Sequence, residues 1–306
     1  MSDFVIGIDG GGSRTRAVLS DLAENVLGTG EAGTSNPMVH GVAAAQRELE
    51  LAIERAFENA QRPHERVAAL CMGLAGADRA PVQQELTEWA LNNLAEKARV
   101  VNDAEIVLAV ASAQTWGVAL IAGTGSFAWG KNRAGETARA GGWGYLLGDE
   151  GSAFDLARQA LRASTQAADG RAEPTRLLNA ILDFWNLAEP RDLVAYVYRP
   201  EQTHSEIARL APIVLRTAEE GDAVAQHLVD QAANALTAAV DAVSGTLHLN
   251  TAAFPLALTG GLVLGSPALC RQVISLLEQR DSRVAPIELV HQPVIGAVKL
   301  ALELVK

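Results

Sequence analysis

The chain contains few residues that could form disulfides or bind a metal ion. It has two cysteines and six histidines among 306 residues. Two cysteines support no disulfide framework, and the histidines are scattered, with no pair at metal-ligand spacing. Cys71 lies in the apolar run VAALCMGL and Cys270 in a predicted helix. We therefore interpret both as buried packing residues in a protein of the reducing cytoplasm.

Basic residues are also scarce. The 25 lysines and arginines are outnumbered by 36 aspartates and glutamates, which gives a formal net charge of -11. This charge repels nucleic acid and anionic membranes at long range, so neither is an expected partner. The sequence has no apolar run of membrane-spanning length and no secretory signal pattern, which favours a soluble cytoplasmic protein. A small anion could still bind through local N–H groups.

The chain is rich in apolar residues, at 49% of its length. This content and this length predict a sizeable core and two domains. The first pattern is FVIGIDGGGSRTRAVL at residues 4–19, which predicts a strand, a glycine turn and a second strand. Gly10, Gly11 and Gly12 allow positive φ and a close approach of N–H groups to a phosphate, with Asp9 at the mouth of the turn.

Two better-known phosphate motifs do not fit this stretch. A dinucleotide fingerprint would need glycine at Thr15 and a helix after the turn, and a P-loop would need Gly-Lys-Ser/Thr. The alternative that the residues leave open is an ordinary hairpin turn. However, the sequence VALIAGTGSFAWG at residues 118–130 repeats the pattern about 113 residues later. The repeat predicts two related halves, each with a glycine hairpin.

Polar residues follow several predicted strands. Asp103 comes after the short strand Val100-Val101, where ligands of α/β sheets collect, although it could instead cap the helix that follows. Asn36 could bind a sugar hydroxyl or N-acetyl group, or could be a turn residue before Pro37. Asp78 is most simply an N-cap for a helix over residues 81–97.

The second half contains a glycine-rich loop and a late pair of glycines. The loop GGWGYLLGDEGSA begins at Gly141 and Gly142 and ends in a Ser152/Asp155 capping-box pattern, so it is a candidate substrate loop. Its acid Asp149 could bind substrate or could complement the helix dipole. The strand and turn PLALTGGLVLG could hold a flat base against the backbone of Gly260 and Gly261.

Six segments in this order resemble the BadF/BadG/BcrA/BcrD ATPase family, and within it the N-acetylglucosamine kinase branch. They are IDGGGSRT, VVNDAEIVLA, IAGTGS, GGWGYLLGDEGSA, LTGG and PVIGAVKLA. The resemblance implies an α/β fold of two ribonuclease-H-like lobes of the actin, heat-shock protein 70 and sugar kinase type, with an interlobe cleft. The N-terminal lobe would comprise residues 1–113 and 291–306, and the C-terminal lobe residues 114–290.

The resemblance also implies an activity and a set of site residues. It implies ATP-dependent phosphorylation of an amino sugar, N-acetylglucosamine or glucosamine, at the 6-hydroxyl, by a homodimer that uses ATP and Mg²⁺. Asp103 would be the catalytic base and Asp9 the magnesium residue. Gly11, Gly12, Ser13, Thr15, Gly123, Thr124, Gly125, Gly260 and Gly261 would bind ATP, and Asn36, Asp103, Gly141, Gly142 and Asp149 would bind the sugar.

Two other enzymes share parts of this pattern. N-acetylmuramic acid kinases carry the same motifs, so the amino sugar is left open. An activator ATPase of a radical acyl-CoA dehydratase or reductase would need cysteines that bridge an iron–sulfur cluster between subunits. Cys71 and Cys270 lie in apolar contexts far apart in the sequence, which disfavours that activity.

Overall fold

The structure is a computed structural model that describes residues 2–12, 14–280 and 283–306. The chain divides into two compact units, Met1–Gly117 with Val290–Lys306, and Val118–Leu289. The described residues of each unit contain one five-stranded sheet with helices packed against it. No helix in the described ranges is long and apolar enough to cross a membrane.

The first unit is built on a mixed sheet in the order β3-β2-β1-β4-β5. Its strands are β1 (Phe4–Gly10), β2 (Thr15–Asp21), β3 (Val26–Ala32), β4 (Val67–Leu74) and β5 (Ala95–Val101). Its helices are α1 (Pro37–His40), α2 (Val42–Asn59), α3 (Ala80–Asn93), α4 (Asp103–Ala111) and, from the end of the chain, α13 (Val294–Val305). Strands β1, β2 and β3 form an antiparallel meander, and β4 and β5 run parallel to β1.

The second unit repeats this arrangement, with its sheet in the order β10-β9-β6-β7-β8. Its strands are β6 (Gly117–Ala122), β7 (Ser126–Lys131), β8 (Thr137–Gly141), β9 (Phe254–Thr259) and β10 (Val284–Leu289). Its helices are α5 (Ala153–Ala168), α6 (Leu177–Trp185), α7 (Asp192–Val197), α8 (His204–Ala208), α9 (Ala211–Glu219), α10 (Ala223–Thr246), α11 (Gly261–Gly265) and α12 (Pro267–Gln279), with a short 3₁₀ helix at Leu249–Thr251.

The two sheets have the same strand topology. Read from the opposite end, the second order is β8-β7-β6-β9-β10, which corresponds strand for strand to β3-β2-β1-β4-β5. In each unit the first two strands in sequence are neighbours joined by a glycine turn. The two related halves predicted from the repeated glycine turns are therefore present, and the α/β fold class is confirmed.

The sheet of the first unit has a hydrophobic core on both faces. All eight residues of β4 are buried, as its continuous apolar run predicts. Because side chains alternate along a strand, Ile6 and Leu70 belong to the core beneath α2 and α3. Val5 and Cys71 belong to the opposite core, which α13 covers. Burial raises the pKa of the Cys71 thiol to about 12, so it stays protonated.

Some predicted local structure is wrong. The helix expected over residues 81–97 ends at Asn93, because Ala95 already pairs with Val67 and starts β5. Asp78 is not the N-cap of α3; that position belongs to Arg79, which makes no side-chain capping bond. The segment predicted as a strand and a turn at Gly260 and Gly261 also contains a helix, because Gly261 begins the short helix α11.

A glycine in α13 allows two helices of the first unit to pack closely. A Cβ atom built on Gly296 would collide with the carbonyl oxygen of Ile106 in α4 and would lie 3.1 Å from a methyl carbon of Val110. The Ile106 carbonyl belongs to the backbone, which cannot move aside as a flexible side chain could. Gly296 therefore allows tight packing between α13 and α4.

We predict that Gly296→Ala lowers the free energy of unfolding by about 1–3 kcal/mol, the usual cost of overpacking. The matched control is Gly245→Ala, at an exposed position in the last turn of α10, where a Cβ would meet no atom within 4 Å. This control should be neutral or stabilising by about 0.5 kcal/mol. Differential scanning calorimetry of both variants checks the prediction. Equal melting temperatures for the two variants would contradict close α13–α4 packing.

Candidate active site

In the first unit, three parallel strands end side by side at the edge that carries Asp9. Asp9 is in register with Gly73 of β4, which is in turn in register with Val101 of β5. At the usual strand spacing, the backbones of Asp9 and Val101 are about 10 Å apart. Asp103 follows two residues after Val101 and starts α4. The sheet thus brings Asp9 and Asp103 to the same edge of this unit.

Asp103 is not the cap of the helix that it begins. The side-chain oxygen of Asn102 accepts a hydrogen bond from the Glu105 N–H at 2.9 Å and caps α4. The capping interpretation of Asp103 is therefore wrong.

The environment of Asp9 disfavours its charged form. Burial raises the pKa of the Asp9 carboxyl to about 6, although the positive charges of Arg16 and Arg14 act in the opposite direction. Arg16 lies directly opposite Asp9 on β2 and also pairs with Glu31 at 2.6 Å. A cation bound near Asp9 would favour the charged carboxylate.

The glycine turn between β1 and β2 is held by the loop that follows β3. Thr15 is completely buried, and its hydroxyl lies 2.7 Å from the Gly33 carbonyl oxygen and 2.8 Å from the Ser35 hydroxyl. The Thr34 hydroxyl donates to the Gly11 carbonyl at 3.0 Å. These contacts attach the turn to the loop at residues 33–35. Gly12 has open space around it, and Ser13 lies outside the described residues.

Asn36 follows this loop and caps the short helix α1. Its Oδ1 atom accepts a hydrogen bond from the Met38 N–H at 2.9 Å. The same oxygen lies so close to Gly76 that a Cβ there would collide with it. The capping bond uses Oδ1, which leaves the Nδ2 amide as the group that could donate to a ligand.

In the second unit, the turn at residues 123–125 is held by the start of α5. The N–H groups of Ala153 and Phe154 donate to the carbonyls of Gly123 and Thr124 at 2.9 and 3.3 Å. The Gly123 N–H donates to the Gly125 carbonyl at 2.9 Å. In the described part of the chain, the N–H groups of Thr124 and Gly125 make no such bond. The turn can therefore offer these two donors to an anion.

A cavity of about 410 Å³ adjoins this turn. Gly123 and Thr124 line it on one side and Gly261 on another, and Gly260, with φ +105°, approaches the backbone of Ala122 too closely for any side chain. The structure thus brings together residues of the two predicted nucleotide turns of this unit. Such a cavity size suits a small-molecule ligand.

The sequence analysis missed the wall of this cavity that α8 and α9 provide. Pro212, Leu215, Arg216 and Glu219 line it at the spacing of one helix face, together with Ser205 and Arg209. The spacing is visible in the sequence. Nothing in the sequence says that this face borders a cavity, because a helix covering the sheet gives the same pattern.

Ser126 connects the second turn to the glycine-rich loop. Its hydroxyl donates to the Glu150 carbonyl at 2.8 Å, and its carbonyl accepts from the Gly142 N–H at 3.0 Å. Its N–H donates to the carboxylate of Asp149, which also accepts from Gly144 at 3.3 Å. These bonds bring Gly142 and Asp149 close to the turn. Burial is the main cause that raises the pKa of Asp149.

The aromatic residues of this loop differ in their environment. Tyr145 stacks on His204 with ring centroids 4.2 Å apart, whereas Trp143 is 75% exposed. Tyr145 therefore anchors the loop and Trp143 does not. After the loop, the Ser152 hydroxyl accepts from the Asp155 N–H at 3.1 Å and caps α5, as the pattern predicts. The Asp155 carboxylate accepts from the Gly151 N–H at 3.1 Å, and not from the Ser152 N–H that a full capping box would use.

A single carboxylate at the first turn is compatible with Mg²⁺. This ion keeps several waters in proteins and is bound by one or two carboxylates together with substrate phosphates. Among the described residues, no group of three or more His, Cys, Asp or Glu side chains could hold a metal ion without such phosphates. Asp9 thus fits a magnesium ion that arrives with a nucleotide.

We predict that Asp9 lowers the stability of the ligand-free protein as pH rises. The pKa of Asp9 is raised on folding, so its contribution is most favourable below about pH 4 and is lost as pH rises through 6. Asp9→Asn should therefore gain stability relative to wild type between pH 4 and pH 7, by on the order of 1–3 kcal/mol. Urea unfolding of both proteins at each pH checks this.

The control is Asp3→Asn, at an exposed position before β1. It should show no gain over wild type that grows with pH. If the free energy of unfolding differs between Asp9→Asn and wild type by the same amount at every pH in this range, the raised pKa of Asp9 is contradicted.

The profile of the BadF/BadG/BcrA/BcrD ATPase family matches residues 6–301. The N-acetylmuramic acid/N-acetylglucosamine kinase of Clostridium acetobutylicum is 35% identical over 97% of this chain and 98% of its own. The N-acetyl-D-glucosamine kinase of Dictyostelium discoideum is 30% identical over 98% of each chain.

The fold has matching crystal structures. A candidate N-acetylglucosamine kinase from Chromobacterium violaceum superimposes with a TM-score of 0.81 and 28% identity, over 98% of this chain and 99% of its own. A glucokinase of the ROK family from Streptomyces griseus, at 17% identity and a TM-score of 0.59 over 98% and 99% of the two chains, shares the fold. Because the family profile matches residues 6–301 and the two kinases are 35% and 30% identical over nearly the whole chain, the chain belongs to the BadF/BadG/BcrA/BcrD ATPase family.

Proposed function

We propose that this protein is an ATP-dependent kinase that phosphorylates an amino sugar, N-acetylglucosamine or glucosamine, at the 6-hydroxyl. The observation that carries the nucleotide half of this proposal is the cavity beside Thr124, which ends at a turn with two unused N–H donors. The sugar half rests on the two kinases that are 35% and 30% identical over nearly the whole chain.

In this proposal, ATP binds in the cavity of the second unit. The apolar side chains of Pro212 and Leu215 would contact the base, next to the backbone of Gly260 and Gly261. The phosphates would then reach Thr124 and Gly125, whose N–H groups stabilise negative charge. In the first unit, Gly11, Gly12, Ser13 and Thr15 would form the other phosphate turn, with Thr15 acting through the shape of the turn because its hydroxyl is already bonded.

Asp9 would bind the magnesium ion that accompanies ATP, directly or through water. Mg²⁺ would supply charge neutralisation on the phosphates during transfer. The Asp9 carboxyl, with its pKa near 6, would have to be ionised for this role. Binding of the cation would therefore be linked to loss of a proton at low pH.

Asp103 would act as the general base on the sugar. Its carboxylate would accept the proton of the 6-hydroxyl while the sugar oxygen bonds to the γ-phosphorus. The bond from that phosphorus to the bridging oxygen would break, and ADP would leave with both electrons of that bond. Asn36 would donate from Nδ2 to the sugar, and Gly141, Gly142 and Asp149 would complete the sugar subsite.

A second acceptor, N-acetylmuramic acid, is favoured by one observation. The relative from Clostridium acetobutylicum carries both sugars in its name. The activator ATPase, in contrast, gains no support, since Cys71 and Cys270 are both buried and burial raises both thiol pKa values. The homodimer and the cytoplasmic location remain predictions from the sequence.

The experiment that tests the function is ADP release from Mg-ATP with a panel of sugars. The panel contains glucosamine, N-acetylglucosamine, N-acetylmuramic acid, N-acetylmannosamine, glucose and no sugar. We predict that one amino sugar raises the rate strongly above the sugar-free rate. The same slow rate with every sugar would contradict the kinase proposal and favour an ATPase that serves another protein.

We predict that Asp103→Asn lowers kcat by roughly 10²- to 10⁴-fold, the usual contribution of a general base. The fold should be unchanged, because the Asn102 side chain caps α4 independently of Asp103. The control is Glu85→Gln on the exposed face of α3, which should keep wild-type kcat. Steady-state kinetics and melting temperatures check this. Near wild-type kcat in Asp103→Asn would remove Asp103 from the mechanism.

A further inference from the structure

Arg139 in β8 makes a set of contacts with the glycine pair of the loop. Its Nη2 atom donates to the Gly142 carbonyl at 2.7 Å, and its Nε atom donates to the Gly141 carbonyl at 3.3 Å. Its guanidinium carbon lies 4.8 Å from the centroid of the Phe127 ring on β7. One side chain therefore binds both carbonyls of the pair and rests on an aromatic face.

The conformation of the pair explains why such a contact is needed. Gly141 and Gly142 have φ values of +76° and +69°, which favour glycine. A Cβ on Gly142 would also collide with the Arg139 guanidinium and would lie 2.9 Å from Cβ of Phe127. Glycine residues lose much conformational freedom on folding, so two in succession need external contacts to keep one shape.

Arg139 also acts on the acid at the other end of the loop. Burial first, and the charge of Glu150 as well, raise the pKa of Asp149, whereas the charge of Arg139 lowers it. The backbone N–H groups of Gly144 and Ser126 act in the same direction as Arg139. Arg139 is thus close enough to affect Asp149 while it binds the carbonyls of Gly141 and Gly142.

We propose that Arg139 is a positioning residue of the amino-sugar subsite, which fixes the backbone of Gly141 and Gly142 in the shape that receives the sugar. This inference rests on the proposed function, since it concerns the same subsite. Arg139 acts through the glycine backbone and is not itself a catalytic residue. Lysine should replace it poorly, because an ammonium lacks the planar donor fork that spans two carbonyls and lies flat on Phe127.

Sugar binding without ATP, measured by isothermal titration calorimetry, tests this role. The titrant is N-acetylglucosamine. Arg139→Ala should raise its Kd roughly 10-fold or more, the effect of losing hydrogen bonds from a charged donor. Arg139→Lys should recover only a small part of this loss.

In steady-state kinetics, Arg139→Ala should change KM for the sugar but not KM for ATP. KM for the sugar should rise in Arg139→Ala while KM for ATP stays within about twofold of wild type, since the nucleotide cavity lacks Arg139 among its lining residues. Millimolar ethylguanidinium should lower the sugar KM of Arg139→Ala and leave that of wild type unchanged. A merely structural defect would not respond to this rescue.

The matched control is Arg171→Ala. Arg171 pairs with Asp169 at 2.6 Å on the surface, with both side chains more than half exposed. This variant should keep wild-type sugar affinity. Unchanged sugar affinity in Arg139→Ala, equal increases in both KM values, or full activity of Arg139→Lys would each overturn the inference. A wild-type protein that binds no sugar would instead contradict the proposed function itself.

Discussion

The two hydrogen bonds from the start of α5 to the turn at residues 123–125 are the interaction on which the second unit depends. The N–H groups of Ala153 and Phe154 are among the first of a helix, which have no partner inside the helix. They bind the carbonyls of Gly123 and Thr124. The carbonyls are thereby satisfied, whereas the N–H groups of Thr124 and Gly125 make no backbone hydrogen bond within the described ranges and could donate to a ligand. Helix placement and anion binding are thus parts of one arrangement.

The first unit uses a different support for its equivalent turn. There the hydroxyl groups of Thr15, Ser35 and Thr34 connect the turn to the loop after β3. The strand topology of the two units is the same, but the polar groups that hold the turns are not. The first turn also carries the acid Asp9, whereas the second is joined through Ser126 to the glycine-rich loop. The proposed function assigns magnesium to the first of these turns and the sugar loop to the second.

Much of the fold could be predicted from the sequence because glycine and apolar patterns report local backbone structure. The glycine turn at Gly10–Gly12 and its repeat at Gly123–Gly125 predicted the two hairpins, and the Ser152/Asp155 pattern predicted the cap of α5. The side-chain contacts were not predictable. Arg139 looks like any arginine in a strand, and the face of α9 that lines the cavity has the pattern of an ordinary covering helix. Such roles arise from tertiary packing, on which short-range spacing carries no information.

The proposed kinase moves the phosphoryl group of ATP to a sugar oxygen rather than to water. Phosphorus NMR of a reaction with Mg-ATP and N-acetylglucosamine tests this most directly. We predict a new phosphomonoester resonance, coupled to the protons on carbon 6, which grows in step with ADP. Accumulation of inorganic phosphate alone, at the same rate with and without the sugar, would contradict it.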